Sequence, residues 1–197
     1  MHDATSRTYV VATQGDPRGP ASVTVLRLPV GEDARAAAES LRREAAERAG
    51  NPDLSAGLGG PRDRERSLRL AALHAEQAMR LGRALNGPGR VTVFEDLGPY
   101  CFVLGRPTAD IRAFCRSILG PLADSAQQDE LRTLEQFLRA HGSVNAVARA
   151  LFLHRNTVRQ RLKRIRELTG ADLEDVDQRV RLYLAVLGQN ALRELAS

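Results

Sequence analysis

Apolar and β-branched residues cluster at 9–13 and again at 23–28, between polar stretches, a pattern that predicts two β-strands. The intervening QGDPRGPA is rich in Gly and Pro and reads as a hairpin loop, so the two strands should pair antiparallel. Residues 33–49 turn to Ala, Leu, Glu and Arg and end at Gly50 with Pro52 just beyond, the stop signals of a helix. A short apolar strand is expected at 54–58. Residues 66–85 place Leu70, Leu73, Ala78, Leu81 and Leu85 at roughly helical spacing before Asn86 and Gly87. Segments 91–94 and 100–104 flank the turn EDLGP and are expected to form a second hairpin, and 109–119 reads as a short helix ahead of Gly120 and Pro121. The predicted order, β-β-α-β-α-β-β-α, implies an α+β chain whose first domain, residues 7–122, is a layered ferredoxin-like sheet covered by helices.

The polar run ADSAQQDE lacks apolar periodicity and is expected to separate this domain from a second, all-α domain at 129–197. There Leu131, Leu134, Phe137 and Leu138 form one buried stripe, closed by His141 and Gly142. Ser143 supplies an N-cap hydroxyl for the next helix, in which Val144, Val147, Ala148 and Leu151 share a face. After a turn over Phe152 and Leu153, a third helix runs to about Thr169 with Gly170 as its stop, burying Val158, Leu162 and Ile165. A fourth, 178–195, follows the acidic connection ADLEDVD.

The segment VNAVARALFLHRNTVRQRLKRI has the internal logic of a helix-turn-helix. Ala148 is the small residue where two helices touch, and Leu151, Leu153 and Val158 stand three, five and ten positions on, the sites such a motif buries to fix its interhelical angle. Phe152 occupies the turn position where glycine is commonest. At ~100° per residue, with Val158 inward, Asn156, Gln160, Lys163 and Arg164 face outward, flanked by Arg155, Arg159 and Arg161.

Charge sharpens this picture. The formal net charge is +5 and the pI about 10.0, and of the 29 basic residues all but Lys163 are arginine. Arginine forks suit phosphates and guanine edges, although an arginine-biased genome would leave the same totals. The distribution is more telling: Arg149, Arg155, Arg159, Arg161, Lys163, Arg164 and Arg166 follow one another without an acid, whereas a solvated helix usually mixes Glu with its cations. Double-stranded DNA is therefore the expected partner, with the helix at about 154–169 in the major groove. Arg155, Asn156, Arg159 and Gln160, near the helix start, are candidates to read base edges. Thr157, Arg161, Lys163 and Arg164 are candidates for phosphate contacts, and His154 for capping the helix or touching the DNA backbone.

At these residues the chain resembles a known family. ARALFLHRNTVRQRLKRIRELTGADL is similar to the C-terminal helix-turn-helix of the PucR/CdaR family of bacterial transcription regulators, over about residues 129–195, with HRNTVRQRL the most specific element. The family often carries a degenerate GGDEF-like domain before its DNA-binding part, and LSAGLGG, HAEQAMRLGRALNG and RVTVFEDLGPY look like the corresponding stretches. The hairpin GDPRGPASVTV lacks the paired glycines and adjacent acids of a cyclase, so phosphoryl transfer is not expected. The first strand begins almost at once, so the chain is expected to be a natural short form or a fragment. The resemblance implies a small-molecule effector, whose binding residues have no counterpart to carry over.

Enzymatic readings find little support. His2, His74, His141 and His154 have no metal-ligand spacing, and Cys101 and Cys115 stand in no Cys-x-x-Cys pair, so no metal, cofactor or catalytic residue is assigned and both thiols are expected to be reduced. Glu95 and Asp96 are more simply turn residues than a catalytic pair, and the glycines of LSAGLGG, without a following Lys-Ser/Thr, read as a structural turn rather than a phosphate loop. No stretch approaches the ~18 apolar residues of a membrane span, and a cytoplasmic location is expected. An alternative is a regulatory module in which the first domain dimerises or senses a nucleotide and DNA binding is weak. On the DNA-binding reading a homodimer or larger assembly is expected, since palindromic operators demand two recognition helices in phase.

Overall fold

A continuous apolar run at 9–12 gives the first strand two buried faces. The computed structural model describes residues 6–15, 21–62 and 68–196. The loop at 16–20, the lead-in at 63–67 to the second helix, and His2 lie outside the described residues. Strands β1 (Ser6–Gln14) and β2 (Ser22–Pro29) pair antiparallel, with Val10 opposite Val25 and Ala12 opposite Val23. Helix α1 (Ala34–Ala49) follows, N-capped by Asp33 and stopped by left-handed Gly50. Strand β3 (Ser55–Arg62) runs antiparallel to β1, and after helix α2 (Leu68–Asn86) the short β4 (Val91–Val93) lies parallel to β3. The sheet order is β2-β1-β3-β4.

The period of two then sorts the core. Val10 and Ala12 pack with Ala71, Ala75 and Met79 of α2, while Val11 points the other way, to Ala38 of α1, Ala56 and Leu58. Gly57 and Gly59 share the α2 face, opposite Ala12 and Val10. A Cβ on Gly57 would lie 1.9 Å from the Ala75 carbonyl oxygen, and one on Gly59 would lie 2.2 Å from that of Ala71. The strand expected at 54–58 thus runs on through the glycines expected to form a structural turn, and a helix backbone lies directly against it.

That approach also corrects part of the expected face of α2, in which Ala78 and Leu81 are buried as expected. Leu70 and Leu85 are exposed, at 39% and 52%, and the buried stripe runs through Ala71, Ala75, Ala78 and Gly82, the small residues that permit contact. The expected second hairpin is likewise absent. Residues Phe94–Phe102 wind as 3-10 turns kinked at Gly98 (φ 60°, ψ −129°), and the Val103 and Leu104 amides both donate to the Tyr100 carbonyl rather than to a neighbouring strand. Pro99 has no N–H for a ladder, and Phe94, Leu97, Tyr100 and Val103 are all buried at a spacing of three, the repeat of a 3-10 turn. His74 stacks on Phe94 with ring centroids 3.8 Å apart, and Gln77 accepts from the Gly105 amide and donates to the Arg106 carbonyl, fixing the chain that follows. Asp96 is paired with Arg35, and this pair is solvent-exposed.

The remaining chain is helical: α3 (Thr108–Leu119), α4 (Gln128–Arg139), α5 (Val144–Leu151), α6 (Arg155–Thr169) and α7 (Val176–Ala196). By compactness the described chain divides into two units, one of the residues up to Pro107 with the end of α7 and the other of Thr108–Leu192. Within the second unit, the thiol of Cys115 on α3 donates to the Ala185 carbonyl of α7, and α3 packs against α6. Among the described residues no helix is long and apolar enough to cross a membrane.

Candidate nucleic-acid interface

Local sequence sets the angle between α5 and α6. The Ser143 hydroxyl accepts from the Ala146 amide and starts α5. Eight residues later the helix ends at Phe152, whose φ of 54° and ψ of 41° place it in the left-handed region. The Phe152 amide donates to the Arg149 carbonyl and the Leu153 amide to the Ala148 carbonyl at 2.9 Å, the paired bonds of a Schellman turn. His154 then opens α6, its Nδ1 accepting from the Asn156 amide at 3.2 Å, so the capping role expected of it is the one observed.

One face of α6 is buried through Val158, Leu162 and Ile165, against α4 and α5, as the spacing required. Ala148, Leu151 and Leu153 are partly buried around the turn. Arg155, Asn156, Arg159, Gln160, Lys163 and Arg164 are all exposed, and Thr157 is half-buried. The helix positions these side chains on a continuous outward surface together with its N-terminus, whose partial positive charge adds to theirs.

Arg161 is placed differently from its neighbours. Its guanidinium turns back to α4, with Nη2 2.5 Å from Asp129 Oδ2 and Nη1 donating to Thr133 Oγ1 at 3.3 Å. Arg164 lies 3.6 Å from Glu130, also in the first turn of α4, and Arg166 lies 3.7 Å from Glu174. Lys163 reaches Glu167 only at 3.9 Å. The run that carries no acid in sequence thus meets acids in space on its α4 side, because packing brings the first turn of α4 beside α6. Among the described residues, neither Arg155 nor Arg159 is ion-paired, which leaves the strongest unbalanced positive charge at the start of the helix. The exposure of Phe152, 96%, is the other feature that helical periodicity did not anticipate.

Two helices held by a tight left-handed turn, braced by a preceding helix and presenting the second helix's polar face, define a helix-turn-helix domain. Residues 131–187 match the PucR C-terminal helix-turn-helix domain. The chain is 38% identical over 88 residues to the purine catabolism regulatory protein of Bacillus subtilis, covering 44% of this chain and 17% of that protein. It is 49% identical over 55 residues to the carbohydrate diacid regulator of Escherichia coli, covering 28% and 14%. An uncharacterised protein of Mycobacterium tuberculosis is 36% identical over 120 residues, covering 60% of this chain and 28% of that one. The chain spans less than a third of the length of each of these relatives.

Proposed function

We propose that this chain binds double-stranded DNA sequence-specifically as a transcription regulator, with α6 lying in the major groove. The observation that carries this reading is the exposed, cation-rich face of α6 behind three buried anchors, in a domain whose relatives are named as regulators. Arg155, Asn156, Arg159 and Gln160 reach base edges from the first turns, where bidentate Arg suits guanine and Asn or Gln suits adenine. Lys163, Arg164 and Thr157 hold phosphates, and His154 sets the helix start. Arg161 contributes by orienting α6 on α4, a role its bonds to Asp129 and Thr133 support.

The residues before α3 serve in this reading as an assembly domain related to the GGDEF fold, without cyclase chemistry. A mixed sheet with a helix on each face supports such a layered domain. A homodimer would set two copies of α6 on half-sites ~34 Å apart. Selection of bound duplexes from a random pool tests the reading: a recovered two-fold motif, bound with a steep salt dependence, is the expected result. Salt-insensitive or sequence-blind binding would overturn it.

A further inference from the structure

Phe152 bears two costs that nothing inside the domain offsets. A side chain with a Cβ sits in the left-handed region where glycine is favoured, and its ring is 96% exposed. Glycine would remove both. The Schellman bonds of the turn are backbone bonds and would survive that change.

The position shows what the ring is for. Phe152 stands two residues before the His154 cap and three before Arg155, so it projects from the end of α6 that enters the groove first in motifs of this kind. Exposed Arg149 lies just before it, and exposed His154, Arg155 and Asn156 follow. An apolar ring among cations, without an acid from Arg149 to Arg166, matches a polyanion that also offers apolar C–H surface. A duplex offers such surface in thymine methyl groups and in the faces of its deoxyriboses.

We infer that Phe152 is a further DNA-contacting residue, its ring packing on the apolar surface of the duplex beside the start of α6. This rests on the reading of α6 as the recognition helix. The contact adds affinity without neutralising a phosphate, so its signature differs from that of an arginine or lysine.

The test uses the full chain and a duplex selected by it, comparing Phe152→Gly, Phe152→Leu and Arg159→Ala for melting temperature, affinity and salt slope. Phe152→Gly should melt no lower than the parent and bind about tenfold more weakly, with an unchanged salt slope. Phe152→Leu should recover part of that affinity. Replacing thymine by uracil in the duplex distinguishes the sources. If the methyl is the contact, the Phe152→Gly loss disappears on the uracil duplex; if deoxyribose is, the loss persists. Unchanged binding by Phe152→Gly while Arg159→Ala weakens it would overturn this inference alone. Unchanged binding by both would remove the docking face and the inference with it. A fall in melting temperature for Phe152→Gly would show that the ring packs within the protein, and would also overturn it.

Discussion

Arg161 and Asp129 join α6 to α4, the helix that braces it, Nη2 to Oδ2 at 2.5 Å, across 32 positions of sequence. The same guanidinium donates to Thr133, whose hydroxyl in turn donates to the Asp129 carbonyl at 2.7 Å. A cation used in this way is held before any phosphate arrives.

Arg161→Ala should therefore behave unlike Lys163→Ala. Asp129 is 72% exposed, so solvent screens the pair and its loss should lower stability by only about 0–1 kcal/mol. On DNA, Arg161→Ala should weaken binding with little change in salt slope, since no phosphate contact is lost. Lys163→Ala should reduce the slope of log K against log salt by about 0.9. Binding isotherms over a salt series separate the two, and equal slope changes would return Arg161 to the phosphate-binding set.

The base reading proposed for Arg159 makes a different demand. Arg159→Ala should cost about 1–3 kcal/mol on the preferred duplex and far less on unrelated DNA, broadening the selected motif at one position. Asn156→Ala should broaden a different one. Repeating the selection with each variant checks both, and a uniform loss across all sequences would make these side chains backbone contacts instead.

The α6 face was legible in sequence because its anchors and its cations obey one period: burying Val158, Leu162 and Ile165 forces Asn156, Gln160, Lys163 and Arg164 outward. The pairing of Arg161 was not, because Asp129 and Glu130 come beside it only through packing of α4 on α6. The β1–β2 pair followed from two β-rich segments on either side of a loop rich in Gly and Pro. The missing hairpin at 100–104 shows where a turn signal between apolar segments misleads, since Phe94, Leu97, Tyr100 and Val103 repeat every three residues, a signal that a strand reading overlooks. Leu70 and Leu85 misled for a related reason. Both are expected inside, but where the helix backbone lies on strand glycines the contact runs through Ala71 and Ala75, while Met79 and Leu81 supply the buried bulk beside it.

That close packing predicts a steep cost at β3. An added methyl at Gly57 would meet the Ala75 oxygen at 1.9 Å and the Met79 nitrogen at 2.5 Å, both backbone atoms that cannot rotate away. Gly57→Ala should lose about 3 kcal/mol or more, or fail to fold, as overpacking at a rigid contact does. Gly50→Ala, at φ 60° with nothing within 4 Å of the new methyl, should cost only about 1–2 kcal/mol of left-handed strain. Urea unfolding of the two variants ranks them, and the reverse order would contradict the contact.

Cys115 predicts a pH dependence whose sign can be worked out. The residue is fully buried and burial pushes its thiol up from an ordinary 9.0 to about 11. Below pH 9 the thiol is protonated in both folded and unfolded chains, so its full contribution to stability is present there. Between 9 and 11 the unfolded chain has released a proton that the native one still holds, and stability falls by up to about 1.4 kcal/mol per pH unit from this group alone. Cys101 is also raised, chiefly by burial, and adds a slope of the same sign. Cys115→Ala should cost roughly 1 kcal/mol at pH 8 from the lost sulfur, and the gap to the parent should narrow at pH 10, where the parent has lost part of its advantage. Urea midpoints for the parent, Cys115→Ala and Cys101→Ala at both pH values test this. A constant gap for Cys115→Ala would mean that the thiol ionises as readily in the folded chain as in the unfolded one.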